Sequence, residues 1–171
     1  ARERVGTPQS NGYTAILDTL VSLIGQLRHA SGSDCRVGIG TPGAISTGTG
    51  LMRNSNTVCL NDRPLKQDIE ARLGYPVRLA NDANCFALSE SRNGAARGYT
   101  SCVGIIMGTG VGGGIVVNDR LHAGNMHIGG EWGHNPLEKK GPACYCGRNG
   151  CVETLLSGPG MSRDHQLHGG K

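Results

Sequence analysis

Residues 129–153, GGEWGHNPLEKKGPACYCGRNGCVE, decide how the chain is read. Cys144, Cys146 and Cys151 form a C-x-C-x₄-C cluster, and His134 stands ten residues before Cys144. One ring nitrogen and three sulfurs can surround one tetrahedral ion, and that ligand set suits zinc. Gly141, Gly147 and Gly150 supply the tight backbone that three thiolates need to converge on a point. A disulfide knot is the alternative, but seven cysteines is an odd number and no apolar signal stretch opens the chain. The expectation is therefore a reduced, cytoplasmic protein with a structural zinc loop. Glu131 and Glu153 flank the cluster, so a bound metal would hold two carboxylates in place, a setting for a polar ligand.

Outward from this loop, the chain of 171 residues reads as alternating helix and strand. Ile16, Leu20, Leu23, Ile24 and Leu27 recur at helical spacing over residues 13–30, and a turn is expected over residues 31–34. Residues 36–40, RVGIG, read as a buried strand broken by Thr41-Pro42-Gly43. Residues 46–61 form a polar loop whose Asn54, Ser55 and Asn56 could bond sugar hydroxyls, although such runs are more often plain loop. Leu65, Ile69 and Leu73 mark a helix closed by Gly74, and residues 76–80, PVRLA, read as a second strand.

Asp82 follows at a strand-to-helix junction, within Asn81-Asp82-Ala83-Asn84. It reads either as a helix cap or as a functional carboxylate. Residues 101–107, SCVGIIM, and 115–117, IVV, read as two strands joined by the glycine run GTGVGGG of residues 108–114. No helix follows those glycines and no Gly-Lys-Ser/Thr is present, which excludes the dinucleotide fingerprint and the P-loop. What remains is a hairpin whose bare backbone could approach a phosphate. Val152 to Leu156 starts a helix that Ser157-Gly158-Pro159-Gly160 is expected to stop. The polar tail from His165 then has no closing element.

Composition narrows the function. The net charge of +4 arises from singly scattered basic residues, which argues against nucleic-acid binding. No apolar run approaches the ~18 residues of a membrane helix. The 29 glycines and few aromatics fit a turn-rich globular chain.

Taken in order, NDAN, GTGVGGG, GEWGH, CYCGRNGC and ETLLSG resemble the ROK family of sugar kinases and related repressors over nearly the whole chain. The stretches TPGAIS, NSN, LANDANCFALSE and GEWGHNPL point to its bacterial fructokinase branch. The resemblance implies an actin-like, ribonuclease H-like two-domain α/β sugar kinase fold, here partial. Residues 1–98 would belong to the small N-terminal domain without its first strands, and 99–171 to the start of the large C-terminal domain. It makes Asp82 the catalytic base, Asn81, Glu131, His134 and Glu153 sugar ligands, and Gly108, Thr109 and Gly110 a phosphate contact. His134 would serve both metal and sugar, one through each ring nitrogen.

The family's Asp-Gly-Gly-Thr phosphate loop and its adenosine site are not found in this sequence, so the chain is expected to be a fragment inactive alone. Its parent is expected to phosphorylate a hexose, most readily fructose to fructose 6-phosphate, using Mg²⁺ and ATP, as a homodimer. Another ROK hexokinase, acting on N-acetylglucosamine, glucose or mannose, and a sugar-sensing repressor are the alternatives.

Overall fold

The computed structural model describes residues 2–32, 35–125 and 127–170. Ser33 and Asp34, half of the expected turn over 31–34, lie outside the described residues. The chain forms two compact units, Ala1–Asp82 and Ala83–Lys171.

The first unit is built on helix α1, Gly12–Ser31, and helix α2, Leu65–Leu73. Ile16, Leu17 and Ile24 of α1 share one core with Met52, Leu60, Leu65, Ile69 and Val77. Spacing of three to four residues puts Ile16, Leu20 and Ile24 on one stripe, and burying it stabilises each helix more than intrinsic propensity does. Gly74 ends α2 in a left-handed conformation, φ 77°.

Strands β1, Gly38–Thr41, and β4, Arg78–Asn81, pair in parallel, Thr41 opposite Asn81. Both lie slightly later in the chain than the sequence pattern indicates. Pro76 has no N–H for a ladder, so pairing starts beyond it. Between them Ala44–Ile45 (β2) and Met52–Arg53 (β3) make a short antiparallel hairpin whose second strand lies inside the expected polar loop. In that loop Ser55 is buried: its N–H donates to Asn61 Oδ1 at 2.9 Å, and Asn61 Nδ2 donates back to its carbonyl at 3.0 Å. Ser55 thus serves the loop's own fold, while Asn54 and Asn56 are exposed.

The second unit carries helix α3, Asp82–Asn93, whose first residue closes the first unit. Strands β5, Ser101–Met107, β6, Val111–Val117, and β7, Arg120–Leu121, form an antiparallel sheet. The glycine run is not one loop, because Gly112 to Gly114 lie within β6 and only Gly108-Thr109-Gly110 turns. A Cβ on Gly104 would come within 2.9 Å of the Ala87 Cα, and one on Gly114 within 2.8 Å of the Ala83 carbonyl oxygen. The glycines therefore let α3 lie directly on the β5–β6 hairpin.

The Ser157–Gly160 stretch also differs from its reading as a helix stop. It ends helix α4, Val152–Leu156, but opens helix α5, Gly158–Leu167. Ser157 Oγ accepts the Gly160 N–H at 3.1 Å and Pro159 sits in the first turn, a helix start by both criteria.

Candidate sugar and metal site

The loop after β7 is folded back by its own backbone. A 3₁₀ turn, Trp132–His134, presents His134, and isolated bridges pair Pro136 with Cys151 and Ala143 with Asn149. The Cys144 N–H donates to the Arg148 carbonyl at 2.8 Å, closing a tight turn around Cys146. These contacts gather His134, Cys144, Cys146 and Cys151, whose ligand atoms all lie within 4.8 Å of one another.

The donor set can be compared with zinc by its edges. Zn–S bonds of about 2.3 Å and Zn–N bonds of about 2.0–2.1 Å in a tetrahedron give ligand separations of about 3.5–3.8 Å. His134 Nδ1 lies 3.5 Å from Cys144 Sγ, and Cys146 Sγ lies 3.6 Å from Cys151 Sγ. Cys151 is fully buried and Cys144 nearly so. The residues fit a tetrahedral N/S ion.

Burial pushes the Cys151 thiol up, and hydrogen bonds to Cys146 and Cys144 add to it. Burial also opposes ionisation of Cys146, but hydrogen bonds from Arg148 and from the neighbouring thiols outweigh it, so that Cys146 falls below the ordinary thiol range. A cation in their midst would favour the thiolates as a group.

Glu153 enters from the first turn of α4, one residue past the buried Val152 and two past Cys151. The Val152 N–H donates to the Asn135 carbonyl at 3.0 Å, which ties the helix start to the loop of His134. The Glu153 carboxylate reaches the β5–β6 turn, where its Oε2 accepts the Val111 N–H at 2.9 Å. A Cβ on Gly110 would stand 2.6 Å from that oxygen, so a larger residue there would press on the carboxylate. The Gly108 N–H closes the same turn onto the Gly110 carbonyl at 2.9 Å, and the Gly108 carbonyl accepts the Gly158 N–H at 2.8 Å.

The structure thus brings together His134, Glu153 and the Gly108–Gly110 turn, with Glu131 near enough for its charge to act on the neighbouring Tyr145 phenol. Tyr145 was not singled out by the sequence. Its hydroxyl lies 2.9 Å from His134 Nε2, and the rings meet edge to face with centroids 5.0 Å apart. Desolvation around the phenol oxygen, then the nearby Glu153 carboxylate, push the Tyr145 phenol up to about 12, although the side chain as a whole is exposed. Its one sequence signal is position, between two candidate metal-ligand cysteines.

Asn81 and Asp82 belong to the first unit. Asn81 ends β4, and its Nδ2 donates to the Gly43 carbonyl at 3.1 Å, latching the two strand ends together. Asp82 is exposed in the first turn of α3, where the helix dipole favours a negative charge.

A family model described as ROK family matches residues 1–170. The N-acetyl-D-glucosamine kinase of Photobacterium profundum is 39% identical over 173 residues, which cover 95% of this chain and 57% of that protein. Among solved structures, the ROK hexokinase from Thermus thermophilus superposes with a TM-score of 0.81 at 36% identity, over 96% of this chain and 55% of that one. The ROK family glucokinase from Streptomyces griseus, solved with glucose and AMPPNP, gives 0.79 at 32%, over 95% and 51%. The chain spans about half the length of the curated relatives it matches. Its fold is the mixed α/β, actin-like fold of ROK sugar kinases. Among the described residues no helix is long and apolar enough to cross a membrane.

Proposed function

The chain belongs to the ROK family, and from that premise we propose that the full protein transfers the γ-phosphoryl group of Mg-ATP to a hexose hydroxyl. The observation that carries this reading is the contact between a sugar-ligand candidate and a phosphate-contact candidate: Glu153 Oε2 on the Val111 N–H, against Gly110. One structural unit thereby couples hydroxyl recognition to the turn that would approach the phosphates.

In the reaction, Asp82 takes the proton of the attacking hydroxyl, on carbon 6. The sugar oxygen bonds to the γ-phosphorus as the β–γ bridging bond breaks, and ADP leaves with Mg²⁺. Such transfers depend chiefly on positioning and charge stabilisation, to which backbone dipoles at the Gly108–Gly110 turn contribute, and a magnesium ion bound with the nucleotide would supply further positive charge. Asn81, Glu131, His134 and Glu153 bond the sugar hydroxyls, and His134, Cys144, Cys146 and Cys151 would hold a zinc ion that would brace the stretch from Glu131 to Glu153.

In this reading the family's domain division falls after residue 98, with 1–98 in the small domain and 99–171 in the large one. A cytoplasmic homodimer belongs to the same proposal. Asp82 and the glycine turn favour the kinase over the sugar-sensing repressor.

For the acceptor we favour N-acetylglucosamine. The expectation of fructose rests on the likeness of TPGAIS, NSN and GEWGHNPL to the fructokinase branch, and the 39%-identical relative does not support it, since it is an N-acetyl-D-glucosamine kinase. An acetamido group buried without partners would cost about 1–3 kcal/mol, so an enzyme that accepts it must offer a donor and an acceptor. Values of kcat/KM for N-acetylglucosamine, glucose, mannose and fructose with ATP test this. The highest is expected for the acetylated sugar, and a clear preference for fructose would restore the fructokinase reading.

A further inference from the structure

Tyr145 has a place in the site that neither the metal nor the resemblance assigns. His134 Nδ1 faces Cys144 Sγ at 3.5 Å, so its Nε2 faces away from the sulfur cluster. When Nδ1 is a metal ligand, a neutral imidazole carries its proton on Nε2 and donates it. The recipient is the Tyr145 oxygen, 2.9 Å away. The Glu153 carboxylate is close enough for its charge to act on the phenol. The hydroxyl therefore accepts from His134 beside Glu153, the two residues read above as sugar ligands.

A sugar hydroxyl can accept the same hydrogen bond from His134. The phenol differs in being tethered to the chain. It is also poorly anchored, since Tyr145 is 76% exposed and its ring makes an edge contact with His134. Swinging it out uncovers little apolar surface and breaks mainly the one polar contact that a sugar hydroxyl would replace.

We propose that the Tyr145 hydroxyl occupies the seat of a sugar hydroxyl on His134 in the sugar-free protein and is displaced when the hexose binds. Tyr145 is thus an internal competitor that sets the affinity for the sugar. It keeps His134 hydrogen-bonded and oriented in the empty site, and it weakens sugar binding by the free energy of its own contact. The proposal rests on the assignment of His134 and Glu153 as hexose ligands.

The test removes the hydroxyl and retains the ring. Hexose dissociation constants of the full protein and of Tyr145→Phe can be read from the fluorescence of Trp132, the one tryptophan of this chain, or by calorimetry, alongside kcat, KM and metal content. Tyr145→Phe is expected to lower both Kd and KM about five- to tenfold, the range that one net hydrogen bond supplies, with kcat and metal content unchanged. Tyr145→Leu, which cannot restore the contact, is expected to move Kd in the same direction.

Weaker hexose binding by Tyr145→Phe would overturn the proposal by making the phenol a direct sugar ligand. An unchanged Kd would overturn it by making the phenol a bystander. If the unaltered protein binds no hexose, the reading of the site as a sugar site fails and this inference falls with it. If Glu153→Gln binds hexose as tightly as the unaltered protein, the ligand assignment fails, which the Tyr145 variants alone would not reveal.

Discussion

The Glu153 carboxylate accepts the Val111 N–H at 2.9 Å, joining the first turn of α4 to the first residue of β6. This bond spans 42 residues and fixes the carboxylate beside the Gly108–Gly110 turn. Glu153→Gln keeps an oxygen able to accept from Val111 but loses the charge. It is expected to leave thermal stability nearly unchanged and to weaken hexose binding about tenfold or more, since hydrogen bonds to a charged group contribute about 1.5–3 kcal/mol. Calorimetry on the pair of proteins checks both halves of the expectation.

One zinc per chain is expected from the edges of the His134, Cys144, Cys146 and Cys151 cluster. Metal analysis of reduced protein should find it, and Cys146→Ser should reduce it. Stripping the metal with a chelator should lower Tm and hexose affinity together, because the loop that carries His134 also anchors the start of α4 through Asn135 and Val152. Retention of full metal content by Cys146→Ser would contradict the assignment.

Tyr13 on α1 donates to Asp68 Oδ2 on α2 at 2.5 Å, across 55 residues. Tyr13→Phe is expected to cost about 1 kcal/mol and to lower Tm by roughly 2–4 °C. Burial, then the hydrogen bond and charge of Asp68, hold the Tyr13 phenol well above its ordinary range. A group whose pKa is raised on folding stabilises fully below its unfolded value, so this contribution is present below pH about 10 and is lost as pH rises beyond it. The Tyr13→Phe variant should therefore lose its disadvantage in alkaline unfolding experiments.

Gly114→Ala is expected to destabilise by about 1–3 kcal/mol, the usual cost of overpacking. Its Cβ would meet the Ala83 carbonyl and the Ala87 Cβ, each at 2.8 Å, so either α3 or β6 must shift. Gly108→Ala, at an open position of the neighbouring turn, meets nothing within 4 Å and is the matched control. Denaturant unfolding of both separates a packing role for the glycines of β6 from a turn role.

That pair of glycines also marks what the sequence could and could not convey. Leu65, Ile69 and Leu73 at helical spacing, with Gly74 behind them, were enough to place α2, because periodicity and a left-handed cap are local properties. Gly112 and Gly114 look the same whether they turn or lie flat under a helix, and only the approach of Ala83 and Ala87 decides between the two. Ser157-Gly158-Pro159-Gly160 is similarly two-sided, since the residues that end one helix are those that cap and open the next.

The four metal-ligand candidates were legible because their spacing is short and their chemistry specific. Tyr145 was not, for its meaning depends on where His134 Nε2 and the Glu153 carboxylate arrive from 11 residues upstream and eight downstream.

Asp82, exposed at the head of α3, bears the central claim that the full protein is a hexose kinase with this carboxylate as its base. The direct measurement is single-turnover phosphoryl transfer from Mg-ATP to N-acetylglucosamine by the unaltered protein and by Asp82→Asn, with hexose Kd determined for each. The amide preserves shape and loses the base, so turnover should fall about 10²- to 10⁴-fold while Kd stays within a few-fold. Near-normal turnover by Asp82→Asn would contradict the claim and leave Asp82 a helix-capping residue.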